Sequence, residues 1–167
     1  MSYSFNADEI FEIAERVERN GVRFYRRAAV NTEASRSLQV LLRLAADEVE
    51  HEKTFADMRA DMLKQGQVAT VDPVFDPEGE AGSHLRAFAD GYIFDTRVDP
   101  SEALTGEETI EDILQMALGQ EKDAVIFYLV LKDMVSKKLG KDKIDQIIRE
   151  EIHHVTIIGK ELAALNQ

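Results

Sequence analysis

The sequence of 167 residues contains no cysteine. This absence excludes disulfide bonds, zinc sites with thiolate ligands, iron–sulfur clusters and thiol nucleophiles. Any metal site in this chain must therefore use ligands other than thiolates.

Positive charge and long apolar runs are also scarce. The chain has 20 lysines and arginines against 32 acidic residues, which gives a net charge of −12. Such a charge repels nucleic acid and anionic membranes and attracts cations. The longest apolar run, Ala124 to Leu131, is far too short to span a bilayer, and Met1 to Ile10 lacks the features of a signal peptide. We expect a soluble cytoplasmic protein with neither nucleic acid nor membrane as a partner.

The few prolines are confined to one segment. Pro73, Pro77 and Pro100 all lie between positions 67 and 108, together with four of the glycines. This segment of about 40 residues is far longer than the two to eight residues, roughly, that join neighbouring helices in bundles. We predict a crossover along the length of a bundle, with a short helix at Ser83 to Phe94.

Apolar residues recur at helical spacing on both sides of this crossover. We predict four helices: from Asn6, as N-cap, to about Val30; from after Thr32 to Gly66; from about Thr109 to Leu139, capped by Gly140; and from about Asp142 to Leu165. The fold class is then all-α, a four-helix bundle in one domain, 1–167. Hairpin one spans about 6–66, the crossover 67–108 and hairpin two 109–165.

The second hairpin repeats the first at an offset of 103 residues. This offset relates Glu48 to Glu151 and His51 to His154, so a Glu-x-x-His motif occurs twice. In a helix, residues three apart share a face, and each motif can direct a carboxylate and an imidazole to one point. The same offset relates further pairs: Glu18 and Glu121, Phe24 and Phe127, Tyr25 and Tyr128, Ile10 and Ile113, Ala14 and Ala117, Leu41 and Ile144, Leu44 and Ile147, Phe55 and Ile158.

Six polar side chains fall among the apolar positions that face the bundle interior. They are Glu18, Glu48, His51, Glu121, Glu151 and His154. Isolated carboxylate charges in an apolar interior are strongly unfavourable, so a compensating charge is required. Two divalent cations would neutralise the four carboxylates, and two neutral imidazoles would complete the ligand shells. Di-iron and di-manganese bundles use this ligand set.

Two tyrosines accompany these ligands. Tyr25 and Tyr128 each follow a glutamate by seven residues, about 10 Å along a helix, and helical side chains lean towards the N-terminus. We predict that both phenols donate hydrogen bonds to the carboxylates and supply protons or electrons. The alternative is that they are core tyrosines without such a role.

The combined motifs resemble the ferritin-like domain of rubrerythrin. The resemblance rests on Glu18-x6-Tyr25, Glu48-x-x-His51, Glu121-x6-Tyr128 and Glu151-x-x-His154, which cover the four helices but not the crossover. It implies a non-haem site with two iron ions that reacts with hydrogen peroxide or dioxygen. By the same resemblance, Glu48 and Glu151 bridge the metals, whereas Glu18 and Glu121 are terminal ligands.

The chain departs from rubrerythrin at two points. Full-length rubrerythrin carries a rubredoxin-like domain with an iron held by four cysteines, so this chain would need an external electron-donor protein. Rubrerythrin also has an additional glutamate where this chain has Ala124.

Several alternatives stay open at this stage. Glu150 and His153 form a competing Glu-x-x-His pair, but the offset selects Glu151 and His154, so we expect the competing pair to face away. His84 has no assigned role.

Manganese or zinc could replace iron. Iron storage with ferroxidase but little peroxidase activity, or a structural bundle, is an alternative function. A homodimer is compatible with the sequence.

Overall fold

Four α-helices make up most of the described chain. The computed structural model describes residues 7–33, 35–64, 98–135 and 137–165, and none of these residues lies in a β-strand. The helices are α1 (Ala7–Val30), α2 (Ser35–Lys64), α3 (Ile110–Met134) and α4 (Lys141–Leu165), with short 3-10 helices at Pro100–Ala103 and Lys137–Leu139. The predicted all-α class is confirmed. The Asn6 and Gly66 caps, the Ser83 to Phe94 helix and His84 lie outside the described residues.

The start of α3 agrees with the sequence prediction, but its end does not. Thr109 and Asp112 form a capping box, in which each side chain accepts a hydrogen bond from the backbone N–H of the other residue. The helix ends at Met134, so the predicted end at Leu139 is wrong. Val135 takes an extended conformation and is buried, so that it packs against the core instead of continuing the helix.

The apolar core consists of two clusters, one on each side of a polar layer. One cluster includes Phe11, Phe55 and Phe127, and the other includes Phe24 and Leu114. The offset of 103 residues exchanges the clusters, since Phe11 maps onto Leu114 and Phe24 onto Phe127. Burial of each such side chain contributes about 1.5–3 kcal/mol. The two clusters therefore fix the four helices above and below the layer.

Charged side chains on the surface join the first two helices. Arg59 of α2 forms ion pairs with Asp8, Glu12 and Glu15 of α1 at N···O distances of 2.5–3.4 Å.

Within the described ranges, no helix has the length and apolar character needed to cross a membrane.

Gly140 occupies the turn that joins the 3-10 helix to α4. It has a φ of +95°, and a Cβ atom there would lie 2.9 Å from Cε of Met58. We predict that Gly140→Ala lowers the free energy of unfolding by about 1–2 kcal/mol, because an L-residue is strained at positive φ. Gly119→Ala is the control, since its Cβ would meet open space in the middle of α3. We expect it to raise stability by about 0.5–1 kcal/mol in urea unfolding. A similar change in the free energy of unfolding for Gly140→Ala and Gly119→Ala would contradict the role given to the positive φ of Gly140.

Candidate metal centre

The six side chains singled out by the sequence lie together in the polar layer between the two core clusters. Each has an exposed fraction of 4% or less. All four helices contribute: Glu18 from α1, Glu48 and His51 from α2, Glu121 from α3, and Glu151 and His154 from α4. The prediction that these side chains are buried together is confirmed. Their role as metal ligands stays a prediction.

Two groups of four side chains overlap within this layer. One group is Glu18, Glu48, His51 and Glu151, and the other is Glu48, Glu121, Glu151 and His154. In each group, one ligand atom per residue lies within 4.8 Å of the others. Glu48 and Glu151 belong to both groups, so the geometry offers two neighbouring positions for a cation that share two carboxylates.

Each histidine directs Nδ1 towards the carboxylates. Nδ1 of His51 lies 3.2 Å from Glu151 Oε1, and Nδ1 of His154 lies 3.0 Å from Glu151 Oε2. Among the described residues, His51 Nδ1 and Glu151 Oε1 are buried without a hydrogen-bond partner, although they face each other. Unpaired buried polar atoms are costly, and a cation bonded to both would satisfy them. The residues present therefore fit a metal ion.

Two outer carboxylates contact the other nitrogen of each imidazole. Glu150 of α4 accepts a hydrogen bond from Nε2 of His51 at 2.7 Å, and Asp47 of α2 lies 3.4 Å from Nε2 of His154. The expectation that Glu150 faces away is thus wrong, whereas His153 is exposed as expected. Sequence reasoning missed Asp47 and Glu150, although the offset of 103 residues relates them. Contacts of this kind fix the tautomer and the orientation of metal-binding histidines.

The tyrosines contact the carboxylates of the opposite hairpin. Tyr25 donates a hydrogen bond to Glu121, and Tyr128 donates one to Glu18. Each phenol therefore reaches across between α1 and α3 and holds a glutamate of the facing helix. The core clusters show that α1 and α3 run antiparallel, since Phe11 near the start of α1 shares a cluster with Phe127 in the second half of α3, and Phe24 shares one with Leu114.

A cavity of about 340 Å³ opens from the polar layer between α1 and α3. Its floor includes all four glutamates of the layer, and Val98 and Pro100 of the chain before α3 also line it. This cavity provides a route by which a small molecule could reach the centre.

One solved structure is similar over nearly the whole chain. It comes from Thermotoga maritima and is described as a candidate ferritin-like diiron-carboxylate protein. The two chains share 23% sequence identity, with a TM-score of 0.74 over 98% of each. This chain has the ferritin-like fold. No family model matches the sequence, and no curated protein matches it.

Burial and mutual repulsion set the protonation of the ferritin-like bundle's polar layer. Burial and the nearby charge of Glu151 raise the pKa of Glu121 to about 8, and the same two causes raise the pKa of Glu48. Although burial opposes ionisation of Glu151, close contacts with His154 and His51 lower its pKa to about 2. Burial disfavours the charged imidazoles, but the carboxylates around them raise the pKa of both histidines.

The outer carboxylates give a first test of the centre. We predict that Glu150→Ala weakens binding of Zn²⁺ about 10–100-fold, because His51 loses the group that orients it. Glu150→Gln should retain part of the affinity, since its amide oxygen can still accept the hydrogen bond. The matched control is Glu50→Gln, a change at an exposed residue of α2. Competition against a chromophoric chelator measures the affinities, and equal values for all four proteins would contradict this role.

The raised pKa of Glu121 gives a second test. The pKa of Glu121 is raised from 4.5 to about 8 in the folded, metal-free chain. A proton held more tightly in the folded state stabilises that state at low pH, and this stabilisation is lost as the pH rises towards 8. Metal binding requires the deprotonated form and releases the proton. We therefore predict that the difference in Tm between Zn²⁺-loaded and metal-free protein widens from pH 6 to pH 8. A difference that stays constant would contradict the prediction.

Proposed function

We propose that this chain is a non-haem di-iron protein that reduces hydrogen peroxide or dioxygen with electrons from an external donor protein. The observation that carries the proposal is the pair of buried ligand groups that share Glu48 and Glu151. The ferritin-like fold supports it, as does the description of the similar Thermotoga maritima structure as a diiron-carboxylate protein.

The overlap of the two groups suggests a role for each ligand. Glu48 and Glu151, which belong to both groups, would bridge the two ions. Glu18 with His51 would complete one ligand shell, and Glu121 with His154 would complete the other. Four carboxylates would then balance two divalent cations in a buried layer, where unbalanced charge is strongly unfavourable.

The tyrosines would hold the terminal carboxylates in place. The Oη–H groups of Tyr25 and Tyr128 donate to Glu121 and Glu18, which restricts how far each carboxylate can swing. Burial, followed by the charge of the nearby carboxylates, raises the pKa of both phenols, so both stay protonated donors at neutral pH. Tyr25 also lines the cavity, where its phenol can supply a proton to a reactant.

When bound, two ferrous ions would supply two electrons, which with two protons reduce hydrogen peroxide to two molecules of water. The cavity above Glu48 and Glu151 would admit the oxidant, and the apolar side chains of its wall would limit the access of bulk water. The sequence has no cysteine for an iron centre with thiolate ligands, so we propose that the electrons that restore the ferrous state come from another protein.

Metal stoichiometry tests the ligand assignment. We expect two ferrous ions per chain in an anaerobic titration of the wild-type protein and fewer than about one after Glu151→Ala, because this change removes a ligand from both groups. His154→Ala should weaken one position selectively, whereas the matched control His153→Ala, at an exposed neighbour, should still bind two. Unchanged metal content in Glu151→Ala would refute the assignment.

The reaction itself is tested by stopped-flow oxidation of the diferrous protein. Faster oxidation by hydrogen peroxide than by dioxygen would support peroxide reduction, and a small, stoichiometric iron content would accompany it. Iron accumulation far beyond two ions per chain would instead indicate storage. Redox-inert zinc in protein isolated from its native source would overturn the proposal.

A further inference from the structure

The cavity between α1 and α3 is much larger than peroxide or dioxygen requires. Its volume is about 340 Å³, whereas a water molecule occupies about 30 Å³ of the liquid. An apolar cavity of about 150 Å³ in another protein is large enough to bind benzene. The volume here corresponds to a ligand of about ten non-hydrogen atoms and lies in the range of small-molecule sites.

Residues related by the sequence repeat line this cavity on two sides. Val17, Glu18, Asn20 and Gly21 line it from α1, and their equivalents at the offset of 103 residues, Gln120, Glu121, Asp123 and Ala124, line it from α3. Gly21 and Ala124 occupy equivalent positions beside the carboxylate layer. A Cβ atom at Gly21 would lie 3.2 Å from Cγ of Glu48, so a larger residue there would crowd that carboxylate. The small residues keep the space above the layer open.

The opposite side of the layer is closed. The rings of His51 and His154 stack between α2 and α4 with centroids 5.6 Å apart. Outside them lie Glu150 and Asp47, each in contact with an Nε2 atom. The side between α1 and α3 thus offers space for a ligand next to the carboxylates, whereas two buried imidazole rings lie on the side between α2 and α4.

The lining defines the chemistry of a ligand. Val17, Val98, Pro100 and Ala124 present apolar surface, so an apolar body is favoured. The floor carries four glutamates, and the wall also includes Asp123, whose pKa is raised by burial. No lysine or arginine is among the described lining residues, so in the metal-free protein no basic side chain there would balance an anionic ligand.

We propose that this cavity binds a small, neutral and mostly apolar organic molecule of about ten non-hydrogen atoms, directly beside the carboxylate layer. The inference rests on the proposed function, because the dimetal centre is what the ligand would meet at the floor. It adds a ligand class to that function: an organic compound held beside the place where the oxidant is reduced. Binding as such requires only the cavity.

1-Octanol, which is neutral and of suitable size, is the probe. Titration of the metal-free and the Zn²⁺-loaded protein is followed by ¹H–¹⁵N NMR. We expect saturable binding of one molecule per chain, with shifts concentrated at Gly21 and Ala124. Octanoate, which has the same chain length but is anionic, should bind the metal-free protein at least tenfold more weakly. Absence of saturable octanol binding, or equal binding of octanoate, would overturn the inference.

Substitutions at α3 localise the binding. Ala124→Leu places extra bulk in the cavity and should weaken octanol binding at least fivefold. The matched control Gly119→Leu adds a side chain to the same helix where a Cβ meets open space, so it should bind as the wild type does. Ala124→Val, a smaller change, should give an intermediate loss and serves if the leucine variant fails to fold. Undiminished binding in the folded Ala124 variants would overturn the inference.

Zinc content measured on the same samples separates this inference from the proposed function. Two zinc ions per chain without octanol binding would refute the inference alone. Octanol binding without metal uptake would support the cavity ligand and refute the proposed dimetal function.

Discussion

The burial of four carboxylates and two imidazoles in one layer is the constraint on which the rest of the structure depends. Each of these groups loses its hydration, so each needs a partner, and the partners come from other helices. Tyr25 and Tyr128 connect α1 with α3 through Glu121 and Glu18. His51 connects α2 with α4 through Glu150. These polar contacts join the helices within the layer, and the two apolar clusters hold them on either side of it.

The duplicated sequence gives the layer a pseudo-twofold arrangement with two unlike sides. Between α2 and α4, each Glu-x-x-His motif supplies a ring, and the stacked rings fill the space. Between α1 and α3, the residues three positions after Glu18 and Glu121 are Gly21 and Ala124 instead of histidines, and the space stays open. In the proposed function, a reactant would therefore approach the shared carboxylates from the side of Glu18, Glu121 and the two tyrosines. Side-chain size at two positions, rather than the fold, decides this direction.

Much of this centre was predictable because the offset of 103 residues and the helical spacing of the apolar residues select the same side chains. An offset alone would not separate buried residues from exposed ones, but Glu18 and Glu121 also fall on apolar stripes. Asp47 and Glu150 escaped this reasoning because they belong to no stripe; their side chains are 40% and 45% exposed, as those of solvated helical residues are. The end of α3 was also missed. Val135 suits a helical stripe, and only tertiary packing reveals that it adopts an extended conformation.

The pKa values indicate how the layer is held together before a metal ion arrives. Although the sequence repeat treats Glu48 and Glu151 alike, the pKa of Glu48 is raised and that of Glu151 is lowered to about 2. Glu151 lies close to Nδ1 of both histidines, and the carboxylates of the layer raise the pKa of both imidazoles. Each protonated imidazole beside Glu151 contributes one positive charge, so the two rings together supply at most half of the charge that two divalent cations would bring. A divalent ion that enters must displace these protons, so metal binding exchanges one set of buried positive charges for another. The carboxylates that raise the pKa of the histidines are the same ones that would hold the cations, so proton release and metal binding are coupled.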